Sequence, residues 1–410
     1  MATAASAQST PVTSHPAGAL QSGARLDSID FVRGLVIVLM ALDHVRHFFS
    51  DALAYRPTNL EENADAGLFL ARWVTHFCAP AFVFLAGTSA FLTRMRRGSS
   101  NKDLSIYLLT RGAWLIVLEL TAVRCFGWAF NFDYHYSMGA ILWALGWSMI
   151  CLAALVHLPV WAVGAFGVLM IGSHNLFDGI AAKELGDFDW LWKILHQPGR
   201  IEFAEDYNFR VAYPLIPWIG VMAAGYTFGT FYVQSPEKRR RWLLCLGVSM
   251  TVAFLILRVV NRYGDPEPWS EQHNTLFTVF SFLNCTKYPP SLAFLLMTLG
   301  PAVALLAVAE RRMKFIGGFL VTFGRVPLFF YLLHLPLIHG LAVICSYARY
   351  GEAPWLFDNP PLRRAIPDGY GYNILWVCLI WLGVVAILYP LCAGFARYKQ
   401  KRRSAWLSYL

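Results

Sequence analysis

The chain has 410 residues, of which 57% are hydrophobic, 15% aromatic and only 14% charged; an ordinary soluble domain carries about 25% charge. So apolar a chain lacks the polar side chains to cover a soluble surface, which excludes a secreted disulfide scaffold, a disordered protein and an ordinary cytosolic enzyme. An all-α, polytopic membrane bundle remains, and the net charge of +9 makes the position of each charge the main question.

Residues 1–24 are rich in Ala, Ser and Thr and have no apolar run. They are expected to be a disordered tail rather than a cleavable signal. One membrane domain is expected over 25–396, followed by a basic tail at 397–410. Crossing a bilayer takes about 20 apolar residues. Ten such spans are expected, near 30–50, 67–92, 104–123, 136–156, 158–174, 212–233, 242–260, 289–309, 325–347 and 373–395. The eight cysteines form no CxxC pair and mostly lie inside apolar runs. They read as small buried hydrophobes, and no disulfide framework or metal site is expected.

Charge sets the orientation. Alternate connections carry Arg94, Arg96, Arg97 and Lys102, then Lys238, Arg239, Arg240 and Arg241, then Arg311, Arg312 and Lys314; the tail adds Arg397, Lys399, Lys401, Arg402 and Arg403. The positive-inside rule puts these, and both termini, in the cytoplasm. Topology and contact with anionic lipid account for the basic runs. No basic groove interleaved with aromatics suggests nucleic acid. The longest external connection, about 174–211, is mildly acidic, and a second covers about 261–288. Two half-length apolar stretches, Thr275–Leu283 and Phe315–Phe323, are expected to be re-entrant or interfacial helices.

Ionisable side chains inside a span cost about 2.5–3.5 kcal/mol each on insertion scales and usually face the bundle interior. Here they are Asp43, His44, Arg46, His47, Arg72, His76, Arg111, Glu119, Arg258, Arg325, His334 and His339. At about 1.5 Å per residue, His44 lies about 9 Å and His76 about 13 Å below the outer surface. Arg33, Arg111 and Arg325 lie in the inner part. The membrane charges are thus sorted by depth, arginines inward and His, Asp and Glu outward. Asp43 pairs at i,i+3 with Arg46 and at i,i+4 with His47. Arg46 and His47 read as a snorkelling packing network, and His44 as a functional imidazole.

Arg33-Gly34-Leu35, followed by His44, resembles the first span of integral-membrane acyltransferases. The string Ser28-Ile29-Asp30-Phe31-Val32-Arg33-Gly34-Leu35, with Cys78-Ala79-Pro80-Ala81-Phe82-Val83-Phe84-Leu85-Ala86-Gly87, is similar to bacterial relatives of heparan-α-glucosaminide N-acetyltransferase. Tyr213-Pro214-Leu215-Ile216-Pro217-Trp218-Ile219-Gly220, Thr286-Lys287-Tyr288-Pro289-Pro290-Ser291 and Phe323-Gly324-Arg325-Val326-Pro327-Leu328 extend the likeness in order. One feature departs from that group. Its closest members carry a His in the first external loop, and Asp51–Ala66 contains neither His nor Trp. The first-span His of the wider superfamily falls on His44 instead.

The resemblance implies transfer of an acyl group, usually acetyl, from acetyl-CoA as co-substrate to an amino or hydroxyl group of a sugar or glycan, in the bacterial inner membrane. His44 would be the general base, oriented by Asp43, with His76 sharing the proton or positioning the acceptor. An acyl-His intermediate is a second route. Arg33, Arg111 and Arg325 would meet the phosphates of the donor. Glu119, Arg72, His334 and Lys287 are the candidate acceptor contacts. A homo-oligomer is compatible with the sequence. A proton-linked transporter or exporter would also carry buried Asp, His and Arg along a polar path, whereas the His spacing offers no two-helix haem pattern.

Overall fold

The computed structural model describes residues 27–52, 58, 60, 65–312, 317–359, 366–402 and 407, with no side-chain placement for 311 and 312. The expected tail at 1–24, Lys314, Arg403 and most of the first external loop lie outside the described residues.

Fourteen α-helices and three short strands are described. The first helix, α1 (Asp27–Phe49), is followed by α2 (Ala66–Thr75), α3 (Cys78–Arg97) and α4 (Asn101–Leu118), which continues as a π-helical stretch, Glu119–Trp128. Strand β1 (Tyr136–Gly139) leads into α5 (Ile141–Leu155) and α6 (Val160–Ser173). Then come α7 (Asp189–Leu195), β2 (Gly199–Ala204), β3 (Tyr207–Val211), α8 (Leu215–Phe228) and α9 (Pro236–Val260). The remainder is α10 (Thr275–Leu283), α11 (Leu292–Arg312), α12 (Gly317–Arg325), α13 (Pro327–Tyr350) and α14 (Ile374–Lys401).

Seven described helical stretches are long and apolar enough to cross a membrane: 66–97, 101–128, 160–177, 236–260, 292–310, 327–350 and 374–401. The other expected spans fall on α1, α5 and α8. Helix α5 has 15 residues, and α8 has 14 before a 3-10 turn extends it. Helix α1 has the length, 23 residues, but carries Asp30, Arg33, Asp43 and Arg46. It tolerates them because it lies inside the bundle, packed by α2, α3, α11, α12, α13 and α14. Protein rather than lipid surrounds its charges.

Backbones approach closely where glycines face each other. A Cβ at Gly34 of α1 would lie 1.8 Å from the Leu320 carbonyl oxygen, and one at Gly324 of α12 would lie 1.7 Å from that of Asp30. Gly87 of α3 and Gly225 of α8 repeat the arrangement: a Cβ added at either would lie 2.1 Å from a carbonyl oxygen of the facing helix. Small residues let membrane helices gain dispersion contact that lipid cannot outcompete. The α1–α12 crossing also places two candidate site residues, because Arg33 precedes Gly34 and Arg325 follows Gly324. The contact that joins the helices sets their arginines near each other.

The sheet corrects the sequence reading, and one expected span carries a kink. The expected span 67–92 lies within the apolar stretch 66–97, which kinks between α2 and α3 at His76–Phe77, where Pro80 lacks an N–H and its ring crowds the carbonyl four residues earlier. The expected span 136–156 begins as a strand. Tyr136–Gly139 pairs parallel with β3, and β3 pairs antiparallel with β2, giving the order β1-β3-β2. The bundle is therefore mostly, not wholly, helical, and the long connection 174–211 is folded. The half-length stretch Thr275–Leu283 forms α10 with those limits, and the described part of Phe315–Phe323 lies in α12.

Candidate active site

Two polar regions lie along α1. The inner one is a cavity of about 270 Å³ lined by Arg33, Arg111, Arg325, Lys399, Tyr107 and Ser89, with Tyr331 and Leu142 on its apolar walls. Helices α1 and α4 and the α12 terminus thus bring together the three arginines that depth alone grouped in the sequence. Arg33 donates to the Leu85 carbonyl at 2.9 Å and to Ser89, with Asp30 3.6 Å away. Arg111 reaches the Tyr107 hydroxyl at 3.4 Å, and Arg325 reaches Asp27 at 3.3 Å. Tyr107, Ser89 and Lys399 were missed by sequence reasoning. Lys399 looked like part of a topology-setting tail, and nothing in its neighbours separates it from that role.

The outer region centres on two imidazoles. His44 Nδ1 lies 2.7 Å from His334 Nε2, and the rings stack at 4.9 Å. His334 Nδ1 lies 2.6 Å from the Tyr331 carbonyl and 3.2 Å from that of Phe330. Carbonyls only accept, so His334 Nδ1 carries the proton and Nε2 of the neutral ring is bare. That bare nitrogen accepts from His44 Nδ1–H. His44 Nε2 is then left with a free lone pair, the form a base requires. Trp128, the last residue of the π-helical stretch, sets its ring edge-on to His44 at 5.3 Å and to His47 at 5.3 Å. Its indole nitrogen is buried without a partner. Nothing around Trp128 in the sequence distinguishes it from an interfacial aromatic.

Asp43 does not orient His44. Its carboxylate is taken by Arg46 at 3.0 Å and by Arg72, and adjacent helical residues point away from each other. His334 holds His44 instead. Lys287 is close enough for its charge to act on Asp43, His44 and His76, and Arg72, Lys287 and Tyr288 border the same region. His76 sits at the α2–α3 break against Phe294, with Nδ1 buried and unbonded. It shares neither a hydrogen bond nor a ring contact with His44 among the described residues. Neither His44, His334 nor His76 lines the inner cavity. Tyr331 links the two regions: it lies on the cavity wall, its carbonyl holds His334, and His334 follows it by one turn.

Glu119 was expected at an acceptor site. It is 2% exposed, and one carboxylate oxygen accepts from the backbone N–H of Leu142 at 2.7 Å and of Trp143 at 3.3 Å. These are orphan donors of the first turn of α5, where a carboxylate also complements the helix dipole. Glu119→Ala should therefore lower thermal stability by about 1–3 kcal/mol, the cost of unsatisfied buried donors. The Michaelis constant for an acceptor should hold. A large rise in that constant at unchanged melting temperature would instead place Glu119 on the substrate.

Two other expected intramembrane residues are structural ties. Arg258 is 2% exposed and donates to the carbonyls of Phe282, Ser281, Asn284 and Glu267, closing the C-terminal end of α10. His339 bridges the carbonyls of Gly127 and Leu356, stacked between Phe48 and Phe130.

Taken together, the helices and their buried polar centre define a multi-pass membrane protein with a buried imidazole pair beside a cationic cavity. The chain belongs to the heparan-alpha-glucosaminide N-acetyltransferase family: that family's catalytic model matches residues 25–263, more than half of it. A membrane N-acetyltransferase type of function follows from that membership. Arg33, His44 and Arg111 fall inside the matched region, and Arg325, His334 and Lys399 beyond it. No curated protein matches the chain.

Proposed function

We propose that this protein transfers an acetyl group from acetyl-CoA to an amino or hydroxyl group of a sugar or glycan. The carrying observation is that Arg33, Arg111, Arg325 and Lys399 converge on one cavity whose Tyr331 wall lies one helical turn from the His44–His334 pair. Clustered guanidinium groups suit the phosphates of a nucleotide thioester better than a neutral solute. In this reading ten spans cross a bacterial inner membrane, both termini are cytoplasmic, and the arginine cavity takes donor from the cytoplasm.

The pantetheine arm runs outward past Tyr331 toward His44. His44 Nε2 removes the proton from the acceptor N–H or O–H as that atom attacks the thioester carbonyl carbon. The carbon–sulfur bond breaks, the CoA sulfur leaves as thiolate, and the proton on His44 passes to it. The imidazolium formed on His44 is steadied by the His334 nitrogen that accepts its Nδ1–H, a charge-assisted bond stronger than the neutral one it replaces. His334 is thus a positioning residue. Arg46, Arg72 and Lys287 border the outer approach and would meet the acceptor.

Protein in lipid nanodiscs, given labelled acetyl-CoA and a panel of amino sugars, should release CoA and labelled product in equal amounts. Proton-linked solute uptake into proteoliposomes without any acyl donor, and no transfer, would favour a transporter and overturn the proposal. Arg33→Gln, Arg111→Gln and Arg325→Gln should each raise the KM for acetyl-CoA about 10-fold or more, the scale of one lost charged hydrogen bond. Their effect on kcat at saturating donor should be smaller. Unchanged KM in all three would detach the cavity from the donor.

A further inference from the structure

Away from the imidazole pair, the connection after α6 brings together two histidines and a carboxylate. His174 follows α6 directly, Asp178 comes four residues later, and His196 follows α7. Their ligand atoms all lie within 4.8 Å of one another. Sequence spacing gave no warning, because His196 is joined to the others only by the folding of the intervening segment.

The surroundings are those of a built site. His174 is 1% exposed and His196 3% exposed. Neither ring nitrogen of His174 makes a hydrogen bond, although the Pro290 carbonyl faces the ring. An imidazole buried without partners costs about 1–3 kcal/mol, so something is expected to meet it. Asp178 is held by Asn175, whose amide donates to Oδ2 at 2.7 Å, and Oδ1 is left turned to His196 Nε2 at 3.7 Å. Asn175 is itself fixed by the Leu292 N–H at 2.9 Å. Trp192 stacks on His196 at 5.1 Å and fixes its ring plane. A metal site needs such outer contacts to orient its ligands.

We propose that His174, Asp178 and His196 bind a divalent transition-metal ion of the Zn²⁺ class. Two imidazoles and one carboxylate are borderline donors suited to Zn²⁺. His196 Nε2 lies 2.9 Å from the His174 carbonyl oxygen. Without metal this is a hydrogen bond; with metal, the two atoms would open to about 3.4 Å, the separation of two tetrahedral ligands at bond lengths of about 2.0–2.2 Å. The ion replaces the Nε2 proton, and small side-chain rotations bring the three groups to bonding distance. The carbonyl or a water completes four ligands. The bound ion clips α7 and the strands after it to the end of α6, and through Asn175 to the start of α11. The clip is independent of the transferase reading.

The test uses the full chain without a polyhistidine tag, in nanodiscs, stripped with EDTA and then titrated with Zn²⁺ against a chromophoric chelator. One Zn²⁺ per chain should bind at micromolar or lower concentration and raise the melting temperature. Co²⁺ in its place should give visible absorption of a four-coordinate N/O site. His174→Ala and Asp178→Asn should weaken binding by about 100-fold. Asp178→Asn keeps the shape of the side chain, so its loss of metal reports the ligand rather than the fold. Binding only at millimolar Zn²⁺, or no stoichiometric binding by the wild-type chain, would overturn the proposal and leave a buried water as the partner of His174. So would an unchanged affinity and Co²⁺ spectrum in Asp178→Asn.

Discussion

His44→Ala should lower acetyl transfer by about 10²–10⁴-fold, the usual share of a positioned general base, with the KM for acetyl-CoA largely unchanged. The split is expected because the arginine cavity lies apart from His44, so donor binding survives while proton removal does not. His334→Ala should give a smaller loss in kcat and a shifted pH–rate profile, since the base keeps its nitrogen but loses the partner that fixes its tautomer. His334→Gln, whose amide oxygen can accept from His44 Nδ1–H, should recover part of the rate. Labelled acetyl transfer by protein in nanodiscs measures all three. Undiminished transfer by His44→Ala would sink the base assignment. Equal losses in His334→Ala and His334→Gln would reduce His334 to a packing residue.

Gly34→Ala and Gly324→Ala should each abolish most folded protein, although each adds one methyl group. The new Cβ would fall 1.8 Å or 1.7 Å from a backbone oxygen of the facing helix, and backbone cannot rotate aside as a side chain can. Ordinary overpacking costs about 1–3 kcal/mol; separating two helix axes also forfeits the contact between α1 and α12, so a larger loss is expected. Gly383→Ala is the control: no atom lies within 4 Å of its Cβ position. It should be neutral or gain up to about 1 kcal/mol from helix propensity. Monodispersity and melting temperature in detergent separate the cases. Normal melting of both Gly34→Ala and Gly324→Ala would show that the crossing is looser than described.

The features set by local chemistry were legible in the sequence. Apolar length placed the helices, and Thr275–Leu283 could be delimited to the residue because polar neighbours end it on both sides. The inner grouping of Arg33, Arg111 and Arg325 followed from depth, since residues at one level of a bundle have a good chance of meeting. Pairings that depend on the rotation of a helix were not legible. His44 and His334 are 290 positions apart, and depth says nothing about which faces they present. The hydrogen bonds of Glu119 were not legible either: its partners are backbone groups of α5, which carry no sequence signature. Tyr136–Gly139 looked like the start of a span because it abuts an apolar helix, and its pairing partner arrives only with β3.

The enclosure of α1 has a consequence for donor choice. Arg33 and His44 stand eleven positions apart on one helix held on several sides, a spacing of about 16 Å at about 1.5 Å per residue. If the arginine end holds the phosphates and the imidazole end meets the carbonyl, α1 is a ruler that does not flex with the cargo. Only a thioester whose reactive carbon lies one arm's length from its charged end can touch both marks at once. Acetyl phosphate is too short and a simple acetyl thioester has no charged end, so both should react slowly even at saturation. Selection among acyl donors would then be made by distance, before the acyl group itself is read.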